Sequence, residues 1–232
     1  MKSPDSAASP TFSRRRVFDK AASWFAAAAM ADLTLTRPQL KAQNQVTPDA
    51  ALKQLMDGNE RFVSAKMTSF EHDLQILRDH NAEKQEPFAA VLSCADSRVP
   101  IEVAFDQTIG HIFVTRIAGN VATSEIIASL EYGAAVLGTK VILVLGHSGC
   151  GAVKAALQGK EVPGQISALF PHLQLAVDQG GHDLTATTKA NAQIQARLLR
   201  ESSTVIAPMV KDNKIKVVAG MYEIATGKVT LL

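Results

Sequence analysis

Residues 140–151 read KVILVLGHSGCG. The run from Val141 to Leu145 lacks the two-residue alternation of a half-exposed strand and is too short for a buried helix. It suits a strand covered on both faces, as in a parallel sheet between layers of helices. Gly146-His147-Ser148-Gly149-Cys150-Gly151 then carries the chain out of that strand, and residues 151–158 take up a helical pattern. Similar buried runs lie at 88–94, 111–118 and 215–224, with helical patterns over 124–137 and 185–210. Strands alternating with helices predict an α/β domain around a mostly parallel central sheet of about four parallel strands, flanked by helices. Ala225-Thr226-Gly227-Lys228 reads as a turn that returns Val229–Leu232 as a short antiparallel edge strand. Pro208 falls inside the last helical pattern and predicts a kink or an end there.

Upstream, Thr47-Pro48 has the cap-then-proline form of a helix start, and Leu52, Leu55, Met56, Phe62 and Val63 follow at helical spacing. This is an N-terminal helical arm. A second helix is expected over 71–81.

Ahead of the arm, Arg14-Arg15-Arg16-Val17-Phe18-Asp19-Lys20 precedes an apolar run from Ala21 to Ala31. The pattern resembles a twin-arginine (Tat) export signal; the alternative is a disordered basic tail with an Ala-rich amphipathic helix. At 11 residues the run is too short to span a bilayer, which takes about 20. Residues 1–42 are therefore expected to be a Tat signal and flexible segment handled by the Tat machinery, and the mature protein to be exported to the periplasm or another Tat-served lumen. Residues 43–232 are expected to form one domain.

The 232-residue chain is 47% hydrophobic, enough to bury a sizeable core, and its formal charge is +2. Residues 1–42 hold seven Lys/Arg against three Asp/Glu, a net of +4, which leaves −2 for the remainder. A weakly acidic body with no basic stripe gives no support for nucleic-acid binding. A small neutral or anionic substrate is compatible with it.

Two cysteines in an exported chain first suggest a disulfide. Their contexts suggest something else, because Cys94 ends one buried strand and Cys150 follows another within a few residues. In open α/β sheets ligands gather at the carboxyl ends of strands where the strand order reverses. If those two strands are neighbours across the reversal, Cys94, His147 and Cys150 converge on one crevice. His-x-x-Cys lets two side chains of one turn reach a common tetrahedral ion, and Cys150 opens a predicted helix whose amides favour the thiolate. Three protein ligands leave a fourth position open, the pattern of a catalytic rather than a structural zinc.

Cys94-x-Asp96-x-Arg98 together with His147-Ser148-Gly149-Cys150-Gly151 resembles the β-carbonic anhydrase family. The likeness runs from about Ala51 to Gly227 and takes in Gly58-Asn59-x-Arg61-Phe62, Arg116-Ile117-Ala118-Gly119-Asn120 and Ser129-Leu130-Glu131-Tyr132. It implies one zinc ion per chain on Cys94, His147 and Cys150, with water or hydroxide in the fourth place, and reversible hydration of CO2 to bicarbonate and a proton. Asp96 matches the residue that accepts a hydrogen bond from that hydroxide, and Arg98 the partner that holds Asp96. Taken by themselves, Asp96 and Arg98 also read as a structural ion pair.

Gln85 matches the substrate-binding glutamine of the plant-type branch, and Phe113 and Tyr132 match its apolar pocket wall. As a residue in a polar loop, Gln85 reads equally as solvated. The bicarbonate-inhibited branch usually carries Trp three positions before its first zinc cysteine; Val91 stands there, so that regulation is not expected. The resemblance further implies a homodimer or higher homo-oligomer with the N-terminal helix reaching across the partner. Packing of that helix on its own domain is the alternative. Two other functions share the residues: hydrolysis of carbonyl sulfide or carbon disulfide on the same fold, and a non-catalytic zinc or redox-sensing role.

Overall fold

The structure, a computed structural model, describes residues 45–68, 75, 78, 84–159 and 161–232. The expected export segment over 1–42 and nearly all of the helix expected over 71–81 lie outside these residues.

Helix α1 (Pro48–Val63) begins where Thr47-Pro48 predicts. The Thr47 hydroxyl accepts from the Ala50 amide at 3.2 Å, and Pro48 sits in the first turn, where a missing N–H costs nothing. The chain continues through β1 (Ala89–Ser93), a short helix α2 (Ile101–Ala104), β2 (Ile112–Arg116), α3 (Ser124–Ala135), β3 (Val141–His147) and α4 (Gly151–Gln158). A 3-10 segment (Gly164–Leu169) leads into α5 (Phe170–Gly180), followed by α6 (Leu184–Ser202), α7 (Ile206–Lys211), β4 (Lys216–Glu223) and β5 (Lys228–Leu231).

The five strands lie in the order β2-β1-β3-β4-β5; the first four are mutually parallel and β5 is antiparallel to β4. β1 is thus flanked by β2 and β3, with Ser93 opposite both Arg116 and Leu145. The chain turns to one side after β1 and crosses to the other after β2, so the strand order reverses between β1 and β3. A crevice is expected beyond their carboxyl ends.

The continuous apolar run of β3 serves both faces of the sheet. Val141, Leu143 and Leu145 pack with Ala89, Val91, Phe105 and the α1 residues Ala51 and Leu55. Ile142 and Val144 pack on the other side with Leu92 of β1, Leu130 of α3 and Ala192, Ala196 and Leu199 of α6. A third cluster at the carboxyl ends joins Cys94, Val121, Cys150, Val153 and Leu173. The apolar stripe of α1 is therefore buried against the chain's own sheet, with Ala51 and Leu55 fully covered, rather than held out for a partner.

Gly58-Asn59-x-Arg61-Phe62 is the docking surface of that helix. Asn59 donates to the carbonyls of Ala104 (2.9 Å) and Gly227 (2.8 Å) and accepts from the Val229 amide (2.8 Å), tying α1 to α2 and to the β4–β5 turn. Arg61 Nε donates to Asp106 Oδ2 at 2.5 Å, and Thr68 supplies its amide and hydroxyl to the same carboxylate at 2.9 Å each. Burial pushes the Asp106 carboxyl up, but the bonds from Arg61 and Thr68 outweigh it and hold the group below its ordinary value. A carboxyl lowered by folding stabilises the fold above its unfolded value of about 4, and that contribution is lost as pH falls through the folded value. Arg61→Ala is accordingly expected to lower the urea midpoint at pH 7 and to lower it progressively less toward pH 3. An equal loss at both pH values would separate Arg61 from the ionisation of Asp106.

Two helical expectations change. The pattern over 185–210 is two helices, broken at Ser203 rather than at Pro208. The Ser203 hydroxyl accepts from the Ile206 amide at 2.9 Å and donates to Glu131 at 2.6 Å, capping α7. Pro208 then falls in the first turn of α7, where it has no intrahelical bond to break. Helix α5 has no counterpart in the sequence reading, because it grows directly out of the 3-10 segment with no capping side chain to announce it.

Candidate metal centre

Cys94 follows β1, His147 is the last residue of β3, and Cys150 is the N-cap of α4. Neighbouring parallel strands bring these three together although 56 residues separate the cysteines. One ligand atom from each lies within 4.8 Å of the other two, and all three residues are buried. The two sulfurs stand 4.0 Å apart as free thiols, about twice the length of a disulfide bond.

His147 faces the cluster with a defined tautomer. Its Nδ1 lies 3.0 Å from the Ser148 carbonyl, which only accepts, so Nδ1 carries the proton and Nε2 presents its lone pair. Nε2 is buried and has no hydrogen-bond partner among the described residues. A buried polar atom without a partner calls for an explanation, and a soft-to-borderline cation between an imidazole nitrogen and two sulfurs supplies one. The donor set fits a metal ion.

The charges are arranged to receive it. A hydrogen bond from Cys150 holds the Cys94 thiol down to about 4 against the opposing effect of burial, with His147 and the Gly119 amide adding in the same direction. The same bond, burial and the Cys94 charge push Cys150 up. Burial works against a charged His147, but the neighbouring Cys94 thiolate outweighs it and the net direction is upward. The two thiols thus push each other's pKa values apart, Cys94 toward the thiolate a metal needs and Cys150 toward the thiol.

Asp96 and Arg98 stand at the rim. Arg98 grips the carboxylate with Nε on Oδ1 (2.9 Å) and Nη2 on Oδ2 (2.7 Å), and its own amide also donates to Oδ1 at 2.9 Å. The Arg98 guanidinium thus holds the Asp96 carboxyl well below the usual carboxylate range. Asp96 Oδ2 lies 3.9 Å from His147 Nε2.

The family model described as carbonic anhydrase matches residues 89–229, from β1 to β5. Carbonic anhydrase 2 of Mycobacterium tuberculosis is 34% identical over 195 residues, covering 79% of this chain and 92% of that protein. The chain belongs to the β-carbonic anhydrase family. The carbonic anhydrase of Mycolicibacterium smegmatis is 35% identical over 192 residues, with 79% and 93% covered. Among solved structures, a tetrameric β-carbonic anhydrase of Sordaria macrospora superposes with a TM-score of 0.64 at 20% identity, over 79% of this chain and 97% of that one. The Coccomyxa β-carbonic anhydrase in complex with acetazolamide gives 0.60 at 24% identity, over 78% and 86%. The activity class is that of a carbonic anhydrase.

Within this carbonic anhydrase fold the remaining expected residues lie elsewhere. Gln85 is exposed ahead of β1, at the amino end of the strand whose carboxyl end carries Cys94. Phe113 pairs in register with Ala90, four residues and roughly 13 Å of strand short of Cys94. Tyr132 is exposed and packs on Phe113 with ring centroids 6.4 Å apart. One chain thus collects Cys94, Asp96, Arg98, His147 and Cys150 at one end of the sheet, and Gln85, Phe113 and Tyr132 toward the other.

Two supporting groups escaped the sequence reading. Arg116 donates from Nε to the Cys94 carbonyl (3.0 Å) and from Nη2 to the Asp96 carbonyl (2.5 Å), fixing the loop that presents both residues. Ser148 donates to Glu223 at 2.7 Å and accepts from the Ile224 amide at 3.0 Å, anchoring the peptide that orients His147. Arg116 stands in a segment that shares the family pattern, which was the available signal. The Ser148–Glu223 pair spans 75 residues and left none.

Proposed function

We propose that this carbonic anhydrase holds one zinc ion on Cys94 Sγ, His147 Nε2 and Cys150 Sγ and interconverts CO2 and bicarbonate. The observation that carries the reading is the convergence of one ligand atom each from Cys94, His147 and Cys150, all buried and within 4.8 Å of one another. Zinc bound there would supply the Lewis-acid chemistry that lowers the pKa of water, less strongly beside two thiolates than beside three neutral imidazoles. The chain's own residues then orient the reaction. Asp96, kept ionised by Arg98, is an acceptor only, so the reacting water points its remaining O–H at the carboxylate and a lone pair at the carbon of CO2. The apolar surroundings of Cys94, Val121, Cys150, Val153 and Leu173 limit competing water. The test is zinc content and CO2 hydration measured on the same preparation. One zinc per chain with turnover supports the reading, and full turnover by metal-free protein overturns it.

A second copy of the chain is part of this proposal. Gln85, Phe113 and Tyr132 lie at or near the β2 edge and the amino end of β1, where a partner packed in the opposite sense brings them to its own zinc site. A homodimer or larger homo-oligomer is therefore the active form.

Export by the Tat route follows from the leader alone. Changing Arg15 and Arg16 to Lys is expected to leave an unprocessed precursor in the cytoplasm, seen by its size. Normal processing of that variant would remove the twin-arginine assignment.

A further inference from the structure

We propose that Asn191 on α6 is a positioning residue for the metal centre, locking the Gly119–Asn120 peptide and through it the Gly119 backbone, whose own amide donates to the Cys94 sulfur. The inference rests on the metal-centre reading and adds a residue to it.

The Gly119 amide lies 3.3 Å from Cys94 Sγ. Gly119 has a φ of +79° and its neighbour Asn120 a φ of +44°, so the loop after β2 makes two consecutive left-handed steps. A glycine there has little to hold its own dihedrals. A Cβ at this position would stand 3.3 Å from the Ala152 Cβ and 3.5 Å from Leu173, so the place is closed to larger side chains as well.

The restraint comes from α6. Asn191 Nδ2 donates to the Gly119 carbonyl at 2.7 Å, and the other end of the same peptide, the Asn120 amide, donates to the Ile117 carbonyl at 2.9 Å. That peptide is thereby held at both ends, and Gly119's own amide is left facing the sulfur. One turn later on the same helix face, Gln195 donates to Asn191 Oδ1 (3.1 Å) and accepts from the Ala122 amide (3.0 Å). Asn191 is fully buried and Gln195 is 3% exposed. Two amides in a stripe otherwise filled by Ala192, Ala196 and Leu199 would be costly without partners. Asn191 finds its partners in the loop that reaches Cys94 and in Gln195, and Gln195 also donates to the His172 carbonyl of α5 at 3.2 Å.

The chemical effect falls on the thiolate. An N–H donor withdraws electron density from a metal-bound sulfur and orients it, as outer hydrogen bonds do for metal ligands generally. Without the Asn191 bond the Gly119 amide is free to swing away, which leaves Cys94 more electron-rich and less fixed in position.

The test uses full-length protein loaded with Co(II) for spectroscopy and with Zn(II) for release. Asn191→Leu keeps the branched skeleton and removes the donor; Asn191→Ser offers a smaller side chain if the leucine form does not fold. Either variant is expected to move the thiolate-to-cobalt charge-transfer band to longer wavelength and to speed zinc release to a chromogenic chelator by about tenfold or more. Ser203→Ala, which removes the bonds to the Ile206 amide and to Glu131 without touching the loop, should lower Tm and leave both readouts in place. If the Asn191 variants lower Tm while band and release rate stay at wild-type values, Asn191 is merely structural and the inference falls. A wild-type cobalt protein with no thiolate band overturns the metal-centre reading itself, and this inference with it.

Discussion

Cys150→Ser is expected to strip the protein of zinc and of CO2 hydration together. Zinc binding by four-ligand structural sites is worth about 10–16 kcal/mol, so one ligand contributes about 3 kcal/mol, or roughly two orders of magnitude in affinity. Serine preserves the size of the side chain but replaces a soft donor that ionises on metal binding with a hydroxyl that stays protonated. Cys150 is fully buried among Cys94, Val121, Val153 and Leu173. The new hydroxyl thus sits in apolar surroundings and costs some stability as well. Metal analysis after dialysis against a mild chelator, alongside the hydration rate, reads the result. A variant that retains one zinc per chain and near-normal turnover removes Cys150 from the ligand set.

Gly58→Ala is expected to destabilise the fold by about 3 kcal/mol or more, although helix propensity alone predicts a gain of about 1 kcal/mol from the same change. A Cβ at Gly58 would lie 1.8 Å from the Phe105 carbonyl oxygen and 2.8 Å from its carbon. These are backbone atoms, held in a turn whose Asp106 is gripped by Arg61 and whose Phe105 carbonyl accepts from Gln107 Nε2 at 3.0 Å. Rotamer changes bring no relief, so α1 must lift away. Lifting strains the three buried hydrogen bonds of Asn59, each costing about 1–3 kcal/mol if a partner is left unpaired. Urea denaturation followed by circular dichroism distinguishes the two effects by sign. A raised midpoint would mean that the helix and turn separate at little cost.

The parts of this protein carried by local pattern were legible in its sequence. The Val141–Leu145 run had to be a strand buried on both faces, and its Gly-His-Ser-Gly-Cys exit fell at the ligand-gathering end of a parallel sheet. The approach of Cys94 to His147 needed only one further fact, that β1 and β3 are neighbours. Features that depend on a distant partner were not legible. Ser203 looks like any helix serine until Glu131 stands opposite it. Asn191 and Gln195 look like a solvated face until the Gly119 loop is laid against them. Phe113 and Tyr132 could be matched to a pocket by pattern, but a single chain holds them away from Cys94 at a distance that only strand register reveals.

The adjacency of β1 and β3 also bears on how the chain resists unfolding. A metal ion shared between Cys94 and Cys150 closes a loop of 56 residues, much as a covalent staple would. By the chain-entropy relation used for cross-links, closing a loop of that length removes about 4 kcal/mol of conformational freedom from the unfolded ensemble. The loop contains α2, β2, α3 and β3 in full. Within one chain β2 is hydrogen-bonded to β1 alone among the described strands, so a tether at both flanks adds to the restraint on it. Loss of such an ion would return that freedom to the unfolded chain and lower the midpoint of unfolding.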